Sequence, residues 1–215
     1  MSRSDAEILW EVARLLARDA ANVSRGPGER PALPPLLFLT DPDRTPRPWE
    51  TAARLPPGAG VIFRHFGLPG AQETALRLRR ITRDRGVLLL IGLDADMAEA
   101  VGADGLHLPE RAVRRAADLR TAHPDWLITG AAHAAAAVGV PGLDALIVSP
   151  VFPAGGVSAS RAALGMTAFR SLAASSSTPV CALGGIRASN ARRLIGSGAC
   201  GLAGVSAIQA AFAPA

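Results

Sequence analysis

Two stretches near the C-terminal end of the chain join small residues to helix starts in a way that suits an anion. Residues 179–186 read Pro-Val-Cys-Ala-Leu-Gly-Gly-Ile, and residues 201–208 read Gly-Leu-Ala-Gly-Val-Ser-Ala-Ile. Each is a short apolar run that ends in small residues just before a helical segment. Backbone N–H groups at such turns, and the first turn of the helix behind them, attract negative charge. Gly184 and Gly185 carry no Cβ to block a close approach. The expectation is a phosphate held by Gly184, Gly185, Val205 and Ser206.

The second chemical feature is histidine. His133 closely follows an apolar run at 126–130. An imidazole at a strand mouth suits general acid–base work near neutral pH. The competing reading is a cap for the next helix. His107 ends the run 104–108, where neighbouring side chains would pack on it, so a structural role is expected. His123 sits beside Pro124 in a connector and is expected to be solvated. Arg64 ends the run 61–64 and His65 follows it. An arginine there can grip phosphate or carboxylate through two parallel bonds, or it can form an internal ion pair. Thr40, Asp41, Asp94, the segment 149–153 that ends in Pro153, and Ile186 complete the candidates. Of these, Thr40, Arg64, His65 and Pro153 are expected to touch substrate. No acidic pair has the spacing of a magnesium site, so no metal and no cofactor are expected.

These residues need elements to hold them. Short apolar runs recur at 36–40, 61–64, 87–91, 104–108, 126–130, 144–148, 180–183 and 201–205. Helical segments separate them, most clearly at 72–85, 110–122, 164–174 and 188–197. One strand and one helix repeated about eight times predicts an α/β fold, a (β/α)8 TIM barrel with parallel strands. An extra N-terminal helix is expected over 4–23, capped by Ser4 or Asp5, with Ile8, Leu9, Val12, Leu15 and Leu16 on one face. The chain reads as one domain, with helix and connector over 1–35 and the barrel over 36–212. The last helix has little room before residue 215, and the N-terminal helix is expected to cover that gap. In such a barrel the site lies at the C-terminal ends of the strands, where the candidates above sit.

Composition excludes several chemistries. The 215 residues contain no lysine and no tyrosine. A Schiff-base aldolase needs an amine nucleophile, and a Walker-type loop needs its lysine. Arg77, Arg79, Arg80, Arg83 and Arg85 crowd one helix and read as a solvated face, without the aromatic partners that nucleic-acid binding would want. Gly196-Ser-Gly-Ala-Cys-Gly201 fits G-x-G-x-x-G, but it leads from helix to strand, the reverse of a dinucleotide fingerprint. Cys181 and Cys200 read as reduced, buried small hydrophobes. No apolar run is long enough for a membrane span and no secretory h-region is evident, so a cytoplasmic location is expected. There the Asn22-Val23-Ser24 sequon carries no meaning. The expected partners are a small phosphorylated ligand and, as an open possibility, further copies of the chain; neither nucleic acid nor membrane is expected.

Five motifs, taken in order, resemble one family. They are Leu37-Phe38-Leu39-Thr40-Asp41, Gly102-Ala103-Asp104-Gly105-Leu106-His107-Leu108, Ser149-Pro150-Val151-Phe152-Pro153, Ala182-Leu183-Gly184-Gly185-Ile186 and Val205-Ser206-Ala207-Ile208. Together they resemble the thiamin phosphate synthase/TenI family, a (β/α)8 barrel of about this length. The synthase joins a pyrimidine diphosphate to a thiazole phosphate with magnesium. Its Arg-Glu-Lys pattern is here Arg64-His65-Phe66, and its Asn-Asp-Arg pattern is Gly92-Leu93-Asp94. A further metal aspartate falls at Ala112, and the Phe-Pro-Thr-x-Thr-Lys loop has become Phe152-Pro153-Ala154-Gly155-Gly156-Val157. The resemblance therefore implies the TenI branch, a metal-independent thiazole tautomerase with its histidine at His133. A synthase with a rearranged site, and a noncatalytic protein that binds a phosphorylated ligand, are the alternatives.

Overall fold

A computed structural model describes residues 3–20, 31–65, 67–133, 139–155 and 161–214. The apolar runs form eight parallel strands: β1 (Leu36–Leu39), β2 (Gly60–Phe63), β3 (Leu88–Gly92), β4 (Gly105–Leu108), β5 (Leu127–Ala132), β6 (Ala145–Val148), β7 (Val180–Leu183) and β8 (Ala199–Gly204). They pair in chain order, and β8 closes on β1, so the sheet is a barrel without edges. Both faces of each strand are covered, which is why the runs are almost continuously apolar rather than alternating. Leu37, Leu39, Ile62, Leu90, Leu127, Ile147 and Ala203 share a cluster with both cysteines. Their neighbours in sequence, such as Phe38, Val61, Phe63, Leu89, Ile91 and Leu106, belong to a second and larger cluster that also contains helix residues. Period-two alternation along each strand separates the two sets.

The helices are α1 (Asp5–Asp19), α2 (Pro48–Ala52), α3 (Ala71–Arg85), α4 (Ala95–Val101), α5 (Ala116–Ala122), α6 (Gly165–Ser175), α7 (Ala188–Ala191) and α8 (Ser206–Ala211). Of the two expected caps, Ser4 closes α1, in a reciprocal box with Glu7, and Asp5 falls inside the helix. The expected continuation of α1 to residue 23 and the sequon at 22–24 lie outside the described residues. α1 packs on β8, α7 and α8, so it covers the region that the six-residue α8 leaves thin.

Four local expectations are revised. The segment 110–122 is not one helix: Glu110–Arg115 is a 3₁₀ turn that leads into α5. The helix expected over 188–197 stops at Ala191 and passes into a 3₁₀ turn, Arg192–Leu194. Asn190 acts from inside α7. Its side-chain oxygen accepts from the Arg187 N–H at 2.8 Å, and its amide donates to the Gly185 carbonyl at 2.8 Å. His123 is only partly solvated. It stacks on Trp126 with centroids 3.7 Å apart and faces Glu99 at 3.3 Å. The arginine-rich helix α3 is only partly a solvated face either. Arg79 reaches inward to Asp104 at 2.7 Å, and the same carboxylate oxygen accepts from the Leu89 N–H at 2.8 Å. Arg120 and Asp144 repeat this arrangement against the Ile128 N–H. Two ion pairs thus tie helices to strand entrances, at the end of the barrel away from the candidate site.

Candidate active site

Each strand delivers its last residues to one mouth of the barrel, where a cavity of about 830 Å³ opens. Arg64 and His65 follow β2; Gly92, Leu93 and Asp94 end and follow β3. His107 lies in β4, with Pro109, Glu110 and Arg111 just after it. Ala131 and His133 come from β5, Ser149 from beyond β6 and Leu183 from β7, and Arg161 completes the rim. A smaller cavity of about 190 Å³ adjoins it through Arg64 and His65 and is lined by Thr40, Asp41, Pro42 and Thr45 among others.

His133 is paired with a residue that the sequence reading passed over. Its Nδ1 lies 2.6 Å from Glu110 Oε2, and its backbone N–H donates to Glu110 Oε1 at 3.1 Å. Both carboxylate oxygens are therefore committed to one residue. Burial pushes the Glu110 carboxyl up. The hydrogen bonds from His133, with the His133 and Arg161 charges, outweigh burial and hold it below the usual range. An ionised carboxylate only accepts, so Nδ1 carries a proton in either state of the ring, and in the neutral ring Nε2 presents its lone pair. Glu110 stands two residues beyond β4. The same position rule that selected the other candidates would have selected it.

Arg64 is held firmly. Its N–H donates to Thr40 Oγ1 at 2.9 Å, its Nε donates to the Thr40 carbonyl at 2.7 Å, and its guanidinium lies 3.9 Å from Asp41. Burial lowers its pKa to about 10 against the pull of Asp41. Thr40 thus positions Arg64 and, of these two cavities, lines the smaller. His65 lines both cavities, with Nε2 3.5 Å from Asp94. His107 is buried, and its Nδ1 is 2.9 Å from Thr129 Oγ1. Burial, with the Arg64 charge second, lowers its pKa to about 3, so it is neutral under ordinary conditions.

Pro153, Gly184, Gly185, Val205 and Ser206 line neither of these two cavities. The glycines have a packing reason that the sequence did not reveal. Both have positive φ, at 97° and 65°. A Cβ on Gly184 would lie 2.6 Å from Pro150 Cα, and one on Gly185 would lie 2.4 Å from the Pro153 carbonyl oxygen. The missing side chains make room for the segment 150–153, not for a ligand on that side. Among the described residues neither glycine N–H donates to a backbone carbonyl. Val205 precedes α8 and Ser206 begins it, so N–H groups at that end have no partner within the helix itself.

The residues present do not fit a magnesium ion. Leu93 lines the cavity at the end of β3, and Ala112 is buried within the 3₁₀ turn. Asp94 spends Oδ1 on the Met97 N–H as the cap of α4 and turns Oδ2 toward His65. Among the described residues no group of three or more His, Cys, Asp or Glu side chains is placed to hold a metal. Nor is any helix of the described residues long and apolar enough to cross a membrane.

Comparison with known proteins bears on this mouth. A family profile described as thiamine monophosphate synthase (TMP-TENI) matches residues 62–208. The thiamine-phosphate synthase of Methanoculleus marisnigri is 35% identical over 157 residues, 70% of this chain and 74% of that protein. A thiamine-phosphate synthase of Geobacillus kaustophilus is 32% identical, over 83% of this chain and 86% of its own. Among solved structures, a thiamine phosphate pyrophosphorylase from Pyrococcus furiosus superposes with a TM-score of 0.68 at 25% identity, covering 82% of this chain and 91% of that one.

Proposed function

The chain belongs to the thiamine monophosphate synthase family (TMP-TENI), and from that premise we propose that its barrel binds a phosphorylated thiazole and moves a proton on that ring without a metal ion. The observation that carries this reading is the His133–Glu110 pair in the cavity wall. Glu110 fixes the imidazole with Nδ1–H turned away from the ligand. Nε2 is then the base. It takes a proton from a ring carbon of a thiazole carboxylate phosphate, and Glu110 stabilises the imidazolium that forms. The same Nε2–H returns a proton at the far end of the conjugated system, and the ring becomes aromatic. The N–H groups of Gly184, Gly185 and Ser206 hold the phosphate, and Arg64 adds positive charge at the opposite side of the mouth.

A second reading, thiamin phosphate synthesis, is favoured by the names of the relatives. It asks the site to neutralise a leaving diphosphate. Leu93, Ala112 and a chain without lysine do not supply that charge. One assay separates the two readings. In buffer with chelator, the protein is expected to convert the nonaromatic thiazole tautomer and to incorporate deuterium from D2O. Magnesium-dependent formation of thiamin phosphate from the two substrates, with no conversion of the tautomer alone, would overturn the proposal.

A further inference from the structure

The cavity holds a second histidine in a geometry opposite to that of His133. His65 follows β2, and His133 follows β5, three strands round the barrel; both line the same space. The Gly67 N–H donates to His65 Nδ1 at 3.0 Å. A backbone amide has no other role to play, so Nδ1 is the acceptor and the proton of the neutral ring sits on Nε2. An imidazolium would set two N–H groups against each other at that contact. Nε2 is 3.5 Å from Asp94 Oδ2, too long for a strong hydrogen bond, and the other Asp94 oxygen is spent on capping α4. Phe63 stacks on the His65 ring, with centroids 5.8 Å apart and planes 28° apart, and fixes its plane. At His133 the arrangement is reversed: Nδ1–H faces the Glu110 carboxylate, and among the described residues no hydrogen bond engages Nε2.

From this pairing of opposite tautomers we infer that the cavity carries a base on one wall and a neutral N–H donor on the other. Such a pair suits a carbon acid whose electrons drain onto a nitrogen or oxygen acceptor. His133 Nε2 takes the proton as the C–H bond breaks. The electron pair moves through the conjugated system to the acceptor atom, which receives a hydrogen bond from His65 Nε2–H. No proton leaves His65; the His133 imidazolium reprotonates the terminal carbon. A donor aimed at charge that exists only in the transition state raises the rate more than it raises affinity. The choice of a thiazole as the carbon acid rests on the function proposed above; the two tautomers do not.

The test uses the wild-type chain first. With 15N-labelled histidine at alkaline pH, NMR is expected to show His65 protonated at Nε2 and His133 at Nδ1. A His65 ring protonated at Nδ1 overturns the inference whatever the activity. Turnover supplies the second arm. His65→Leu is expected to lower kcat for proton transfer about 100-fold with little change in KM. His65→Gln, whose amide places an N–H near the Nε2 position, is expected to restore most of that loss. An unchanged kcat in His65→Leu removes the donor role. If the wild-type chain turns over no thiazole while both NMR signatures hold, the thiazole reading falls and the base–donor pair stands.

Discussion

Replacing His133 by alanine is expected to slow proton transfer on the ring by about 10²- to 10⁴-fold, the range a positioned general base supplies. Affinity for inorganic phosphate should stay within about threefold, because the N–H groups of Gly184, Gly185 and Ser206 belong to β7–α7 and β8–α8 and not to β5. Deuterium exchange and phosphate titration on the same preparation read the two effects. A companion variant, Glu110→Gln, separates the base from its support. The carboxylate accepts from both the His133 N–H and Nδ1, whereas an amide has only one oxygen to offer. One of the two donors is then left without its partner, and a loss of about 10- to 100-fold in kcat is expected. Equal exchange rates in wild type and His133→Ala would remove the imidazole from the chemistry.

A second large effect concerns stability and pH. Folded His107 takes up a proton only near pH 3, whereas its ordinary value is 6.5. The unfolded chain therefore binds one more proton than the folded chain between those two values. The sign follows from that excess: the stabilising contribution is complete above pH 6.5 and is lost as pH falls toward 3. The slope is about 1.4 kcal/mol per pH unit for one proton. Asp41 and Glu110 have lowered values and also cost stability on acidification, but only below their ordinary values of 3.8 and 4.5. The window from pH 6.5 to 4.5 thus separates His107 from those two carboxylates. His107→Gln is expected to be less stable than wild type at neutral pH and to show a flatter fall across that window in denaturant titrations. Parallel curves for the two proteins would show that His107 is protonated in the folded barrel.

The barrel was legible because its strands are buried on both faces. Eight apolar runs between helical segments leave few alternatives, and seven of the eight expected strand ranges needed only small shifts at their ends. The short helices α2 and α4 escaped notice because five and seven residues carry too little periodicity to stand out. The site was half visible. His133, Arg64 and His65 could be placed at strand mouths by position alone. The contact of His133 with Glu110 could not, because the two are 23 residues apart and meet only through the pairing of β4 with β5. Thr40 was expected to touch a ligand, and its hydrogen bonds also make it the anchor of Arg64, a role its position did not announce. The tautomer of His65 depends on a single backbone amide two residues on, a detail no pattern of residue types encodes. The glycine pair shows the converse. It was read as leaving room for an anion to approach, and the structure adds a demand the sequence hid, the segment 150–153 packed where each Cβ would sit.

The proposed chemistry needs a ring suspended between the amides after β7 and β8 and His133 Nε2 after β5. A crystal structure of the wild-type chain with the aromatic thiazole carboxylate phosphate measures this directly. The phosphate is expected on the Gly184, Gly185 and Ser206 N–H groups, with a ring or exocyclic carbon about 3–3.5 Å from His133 Nε2. A phosphate seated instead on Arg64, or a ring out of reach of that nitrogen, would contradict it.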